Sequence, residues 1–250
     1  MRLIKDEGHG ILSLVEHYDK TIPQYAILSH TWGSDNEEVT FKDLMEGTGK
    51  NKVGYKKIEF CRKQAASDGL QHFWVDTCCI DKSSSAELSE AINSMFRWYQ
   101  NADKCYVYLF DVSTSEHGVN VQSPYVPWKA AFGASRWFSR GWTLQELLAP
   151  ASVEFFSREG GRLGSRMSLE QDVHEITKIA IGALRGEPLM AFKVEERLSW
   201  AKHRKTKRQE DEAYSLLGIF NIHMSLLYGE GSEEAFVRLR RKIDKSSKCK

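Results

Sequence analysis

Residues 104–112 read KCYVYLFDV, and after a loop residues 135–150 read SRWFSRGWTLQELLAP. The first run is apolar at nearly every position from Cys105 to Phe110, which is the content of a strand buried on both faces. The second predicts a helix over Gly141–Leu148, in which Leu144, Leu147 and Leu148 form a buried stripe. Trp142 and Glu146, four residues apart, then share the opposite face. A carboxylate beside an indole is a candidate working surface. The same spacing also fits an exposed glutamate next to a half-buried tryptophan, because exposed glutamates are common on helices. The surrounding chain has to decide between the two.

Working outward, three more short apolar segments read as strands: Tyr25–Ser29, Phe73–Asp76 and Val153–Phe156. Helical patterns separate them. Tyr55–Ala66 turns Ile58, Cys61 and Ala65 inward and stops near Gly69. The next helix is the best defined, since Ser84 and Glu87 fit a capping box and Leu88, Ala91, Ile92, Met95, Phe96 and Tyr99 follow helical spacing. Strands that alternate with helices and carry near-continuous apolar runs predict an α/β fold with a parallel sheet flanked by helices. On such a sheet, ligands sit beyond the carboxyl ends of the strands. The residues there are Ser29-His30-Thr31-Trp32-Gly33, Asp76-Thr77-Cys78-Cys79 and Asp111, followed by the helix carrying Trp142 and Glu146.

Residues 162–250 read as mostly helical, with short amphipathic candidates at Leu169–Ile179, Val194–Lys202 and Glu210–Ile219. A final helix bearing Ala235, Phe236, Leu239 and Ile243 is entered through Tyr228-Gly229-Glu230-Gly231-Ser232. That glycine turn is not a phosphate loop: Glu230, Glu233 and Glu234 repel phosphate and suit the positive end of the helix dipole. The organisation expected is one domain, with an α/β core over 1–160, a helical extension over 161–245 packed on it, and a tail or linker at 246–250.

A hydrophobic content of 41% with 28% charged residues describes a globular chain. No apolar run approaches the ~18–20 residues that span a bilayer, and the first residues lack the layout of a signal peptide, so a cytoplasmic protein is expected. Five cysteines, one vicinal pair among them and no CxxC, suit a reducing compartment. Cys78, Cys79 and His72 lack the ligand spacing of structural zinc sites, so no metal is expected. The net charge of +1 gives no polyanion signal. The one basic cluster, Lys202–Arg208, runs at once into Gln209-Glu210-Asp211-Glu212 and reads as a solvated loop before a helix, with nucleic acid an unfavoured partner.

Taken in order, YAILSHTWG, FWVDTCCIDK, AELSEAINSMFRWYQNA, KCYVYLFDV, SRWFSRGWTLQELLAP, DEAYSLLGIF and LLYGEGSEEAFVRLRRKI closely resemble the heterokaryon-incompatibility (HET) domain of filamentous fungi, over roughly Ile22 to Ile243. The resemblance implies a role in regulated cell death after non-self recognition, as the N-terminal effector of a larger receptor with C-terminal nucleotide-binding and repeat domains. This chain has neither a P-loop GxxxxGK[ST] nor repeats. A more distant resemblance is to the Toll/interleukin-1-receptor (TIR) fold, a flavodoxin-like sheet in which a helix after the third strand carries W-C-L-x-E-L. On that match Trp142 takes the place of the motif's Trp, Thr143 its Cys, and Glu146 the Glu that cleaves NAD in enzymatic TIR domains. The chain differs in carrying Ser113–Phe132 where TIR domains have a short loop, and in its helical second half.

The chemistry so implied needs little machinery. Nicotinamide leaves from an already cationic ring, so the acid of an ordinary glycosidase is dispensable. One ionised carboxylate beside the ribose, Glu146, can stabilise the oxocarbenium-like charge. Trp142 or Trp32 can supply an aromatic wall. His30 either bonds a ribose hydroxyl or phosphate or fixes its own loop, and Asp76 is either a loop anchor or a ribose contact. Ser29 and Cys78 complete the substrate-binding set; as nucleophiles both lack a visible base. NAD is thus the expected substrate rather than a bound cofactor, and self-association is expected to accompany activation. The alternative is a non-enzymatic signalling or scaffold domain that triggers death by homotypic or partner assembly, with Trp142 and Glu146 in an interface or core.

Overall fold

The computed structural model describes residues 1–18, 21–115 and 127–248. Within them seven strands form one mixed sheet: β1 (Arg2–Asp6), β2 (Leu12–Glu16), β3 (Tyr25–His30), β4 (His72–Trp74), β5 (Lys104–Leu109), β6 (Val153–Ser157) and β7 (Arg162–Ser165). Their spatial order is β2-β1-β4-β3-β5-β6-β7. The helices of the first part are α1 (Phe41–Met45), α2 (Tyr55–Ser67), α3 (Asp76–Cys79), α4 (Ser85–Asn101), α5 (Pro127–Gly133) and α6 (Thr143–Leu148). Those of the second are α7 (Glu170–Thr177), α8 (Ile181–Leu184), α9 (Val194–Ser199), α10 (Asp211–Tyr214) and α11 (Gly231–Lys248).

The four apolar segments expected as strands are the four parallel ones, β4-β3-β5-β6, with Ile27 opposite Trp74 and Cys105, and Phe155 opposite Val107. Every residue of β3 is buried, as a strand covered on both faces requires. Successive side chains alternate between the faces. Tyr106, Tyr108 and Phe156 meet Phe60 of α2 on one side. On the other, Phe155 meets Trp137 of the 3-10 turn Arg136–Ser139, and the Cys105 thiol reaches Glu146 O of α6.

The sheet is not wholly parallel. β1 pairs antiparallel with both β2 and β4, and β7 pairs antiparallel with β6 across an irregularity at Phe155/Phe156. The β1–β2 hairpin turns through Gly8, His9 and Gly10, all at positive φ (88°, 51° and 74°), which glycine adopts without strain. β7 also replaces the helical start expected at residue 162.

In α4 the Ser84 hydroxyl accepts from Glu87 N, but the Glu87 carboxylate serves Asp81 N and Arg2 rather than closing a capping box. α2 buries Ile58, Cys61 and Ala65 as expected, and also Lys57, which pairs with buried Glu38. The helices after β7 share the core of the sheet: Ala213, Leu216, Leu217, Ile219 and Phe220 are buried in it together with Ile92, Met95 and Leu144. α11 runs to Lys248, continuing the helix where a tail from Ser246 was expected; residues 249–250 lie outside the described residues. So do residues 116–126 of the Ser113–Phe132 segment. Among the described residues, no helix is long and apolar enough to cross a membrane.

Candidate functional site

A cavity of about 570 Å³ opens at the carboxyl ends of β3 and β4, within the size range of small-molecule sites. β3 delivers His30 and then Trp32 to its wall, α3 delivers Asp76 immediately beyond β4, and α6 delivers Glu146 with Trp142 at its N-terminus. Five of the seven residues singled out in the sequence thus line one cavity.

Ser29 lies just behind the wall, fully buried. Its hydroxyl donates to Glu146 Oε2 at 2.5 Å and accepts from Trp137 Nε1 at 2.8 Å. Cys78 does not reach the cavity. In the short α3 it points into the core, where its thiol is wholly buried against Val75 O, and Thr77 takes the lining position instead. Cys79 and burial push the Cys78 thiol well above its ordinary range, which disfavours the thiolate. Among the described residues, no cluster of three His, Cys, Asp or Glu side chains is arranged to hold a metal ion.

The helix bearing Glu146 is buried at every position from Thr143 to Leu148. Glu146 is therefore not the exposed glutamate that its spacing also allowed; it is 7% exposed. Burial raises its carboxyl to about 8, with the Asp76 charge adding to the effect and the Ser29 hydrogen bond and the Arg140 charge opposing it. The start of α6 is held from both sides. Thr143 Oγ1 lies 2.6 Å from Trp137 O and 2.8 Å from Arg140 O, and buried Arg204 donates to Arg140 O at 3.0 Å and to Thr143 Oγ1 at 2.9 Å.

Trp32 Nε1 donates to Asp76 Oδ2 at 2.8 Å, while Asp76 Oδ1 stands 3.7 Å from His30 Nε2, and neither of these two atoms has a hydrogen-bond partner among the described residues. Burial, and then the charges of Lys57, Lys82 and Arg140, hold His30 well below its ordinary range, so the ring is neutral at physiological pH. Burial raises Asp76 in the same way that it raises Glu146.

The far wall comes from the second half of the chain, which sequence reasoning had not joined to the site. Asp211, at the start of α10, accepts from Trp142 Nε1 at 3.3 Å and from Tyr228 OH at 2.9 Å. Arg208 lies over the Tyr228 ring at 4.1 Å. The basic cluster is therefore not a uniformly solvated loop: Arg204 is buried behind α6, and Lys207 and Arg208 line the cavity. The missed signal was the aromatic and acidic content flanking that cluster. The role of Trp137 could have been suspected from its place five residues before Trp142.

The family model for the heterokaryon incompatibility protein (HET) matches residues 25–125. The vegetative incompatibility protein HET-E-1 of Podospora anserina is 56% identical over 250 residues, an alignment that covers all of this chain and 18% of that protein. The chain thus spans less than a fifth of the length of this relative. No solved structure matches it.

Proposed function

The chain belongs to the heterokaryon-incompatibility (HET) domain family, and from that premise we propose that it is the cytoplasmic cell-death effector domain of a fungal non-self recognition protein, acting by cleavage of NAD or a related nucleotide at the nicotinamide–ribose bond. The observation that carries the chemistry is Glu146: a buried carboxyl, oriented by a serine, on an aromatic-walled cavity at the carboxyl ends of the parallel strands of a mixed sheet. The parallel strands run second-first-third-fourth across the sheet, the order in which a flavodoxin-like sheet begins, which supports the TIR-like reading of Glu146.

A pyridinium ring brought beside a carboxyl with a pKa near 8 favours its ionised form, so binding drives the proton off Glu146. The carboxylate then faces the charge that develops at C1′ as the C1′–N bond breaks and its electron pair leaves with nicotinamide. Water adds its oxygen to C1′ and loses a proton, which Glu146 is basic enough to accept. Trp32, Trp142 and Tyr228 offer flat apolar surfaces for the rings. Self-association on activation remains part of the proposal. Lys207, Arg208, Asp211 and Tyr228 already wall one side of the pocket, and a second copy would close it further against water.

The test is incubation of the purified chain, free and deliberately clustered, with NAD and chromatography of the products. Nicotinamide and ADP-ribose are expected, with turnover reduced on the order of a hundredfold or more in Glu146→Gln. If clustered protein leaves NAD intact while Glu146→Gln kills cells as well as the wild type, the scaffold reading replaces this one.

A further inference from the structure

The cavity is polarised along its depth. Its interior is made by Ile92, Met95 and Tyr99 of α4, all buried, with Glu146 facing them. Its rim carries Lys82 and Arg208, both exposed, and half-buried Arg140. Cations at a rim are ordinarily spent on neighbouring carboxylates, as Lys207 is on Asp35 and Lys42 on Glu46. Lys82, Arg140 and Arg208 form no ion pair among the described residues. Two of them are nonetheless held in place, Lys82 over the Trp32 ring at 3.8 Å and Arg208 over the Tyr228 ring at 4.1 Å. An aromatic face orients a cation without consuming its hydrogen-bond donors.

Apart from Asp76 Oδ1, which lies buried beside His30, the carboxylates named next are each engaged by another donor. Asp76 accepts from Trp32, Asp211 from Trp142 and Tyr228, Asp81 from Ser83, Glu38 from Lys57 and Glu146 from Ser29. The positive charges of Lys82, Arg140 and Arg208 are felt by Asp76, Glu146 and Asp211 respectively, yet from beyond pairing distance. The cavity therefore has a donor-rich, cationic mouth and an apolar interior ending in a carboxyl.

We infer that Lys82, Arg140 and Arg208 form an anion-binding mouth that takes the phosphates of a nucleotide diphosphate, so that the ring and sugar at one end enter first and reach Glu146. This deepens the nucleotide reading of the same cavity and rests on it. Guanidinium groups and an ammonium on a concave rim suit phosphate oxygens in number and geometry. A nucleoside without phosphates gains nothing from the mouth and is a poor ligand.

Isothermal titration of ADP-ribose, inorganic pyrophosphate and adenosine into Glu146→Gln, the variant expected to be slowed about a hundredfold or more, tests this. ADP-ribose is expected to bind, with affinity falling about tenfold for each of Lys82→Ala, Arg140→Ala and Arg208→Ala and falling with added salt. Pyrophosphate is expected to compete, and the response to adenosine to change less than about threefold. Lys82 and Arg208 are exposed, so their removal leaves the fold intact, and circular dichroism verifies this for Arg140→Ala. Charge-dependent binding of ADP-ribose without any cleavage of NAD supports the mouth and removes the chemical step. NAD cleavage whose KM is indifferent to all three substitutions overturns the mouth and leaves the chemical step standing, and ADP-ribose that does not bind, or binds equally well after charge removal, also overturns it.

Discussion

The Ser29 hydroxyl donates to Glu146 Oε2 at 2.5 Å and cannot turn away from it, because its own oxygen accepts from Trp137 Nε1 at 2.8 Å. An indole N–H only donates, so the serine proton is directed at the carboxylate. On the proposed reaction Ser29 therefore acts through Glu146, as a positioning residue that favours its ionised form. The pH profile of kcat/KM is expected to rise toward about 8 as free Glu146 ionises. Ser29→Ala removes a donor to the charged form and moves that limb to higher pH by about one unit, lowering kcat/KM about tenfold at pH 7 and far less at pH 9. A uniform loss at all pH values would instead mean that Ser29 acts on the substrate.

The raised carboxyl of Glu146 is also a statement about stability. Between its ordinary value of 4.5 and about 8, the folded chain keeps a proton that the unfolded chain has lost. The unfolded state is favoured as pH rises through that window. At pH 7 the cost is on the order of 3 kcal/mol, so Glu146→Gln, which is expected to slow the proposed reaction, is also expected to melt about 5–10 °C higher. The decisive readout is the gap in Tm between the two proteins, measured by differential scanning fluorimetry from pH 5 to 9. It should widen up to about pH 8 and then level off, whereas a misfit of the new amide shifts all pH values alike. A gap that is flat in pH contradicts the burial argument.

How far the site was legible before folding depended on how local its determinants were. The parallel strands were readable because β3 is apolar over Tyr25–Leu28 and β5 over Cys105–Leu109, and the ends of β3 and β4 name Ser29, His30, Trp32 and Asp76 directly. β1 was not, because Leu3 and Ile4 stand alone between Arg2 and Lys5-Asp6, and the strand exists only through pairing with β2 and β4. Cys78 looked like a loop residue beside Asp76, but a single turn of helix rotates it inward. Asp211 and Tyr228 are far from Trp142 in sequence, and only the packed helices bring their hydrogen bonds together.

The junction between the sheet and the second half of the chain rests on a close approach at Gly218. A Cβ there would stand 2.1 Å from Phe96 Cβ of α4, beside the buried Leu217 and Ile219. Gly218→Ala forces the two layers apart and should cost on the order of 3 kcal/mol, seen as a drop in Tm of several degrees with loss of near-ultraviolet circular dichroism. A fragment ending near residue 160 uncovers the α4 surface on which the 218–220 turn packs, and the core shared with Leu216, Leu217 and Phe220, and should be insoluble or molten. Cooperative melting of that fragment would show instead that the second half is dispensable for folding.

Asp211 ties the two halves together at the cavity itself. Its carboxylate is the acceptor for both Trp142 Nε1 and Tyr228 OH, and both rings line the site. Asp211→Ala leaves these donors without a partner and frees the rings to move. If they form a binding wall and take no part in the bond-breaking step, KM should rise roughly ten- to a hundredfold with kcat nearly kept, the pattern of lost uniform binding. The pH limb set by Glu146 should stay in place, since the charge removed lies across the cavity and is not among the main influences on that carboxyl. Asp211→Asn retains one acceptor oxygen and should recover part of the loss. A fall in kcat with KM intact, together with a displaced pH limb, would instead put Asp211 in direct electrostatic contact with the reacting centre, and the wall would have to be reassigned.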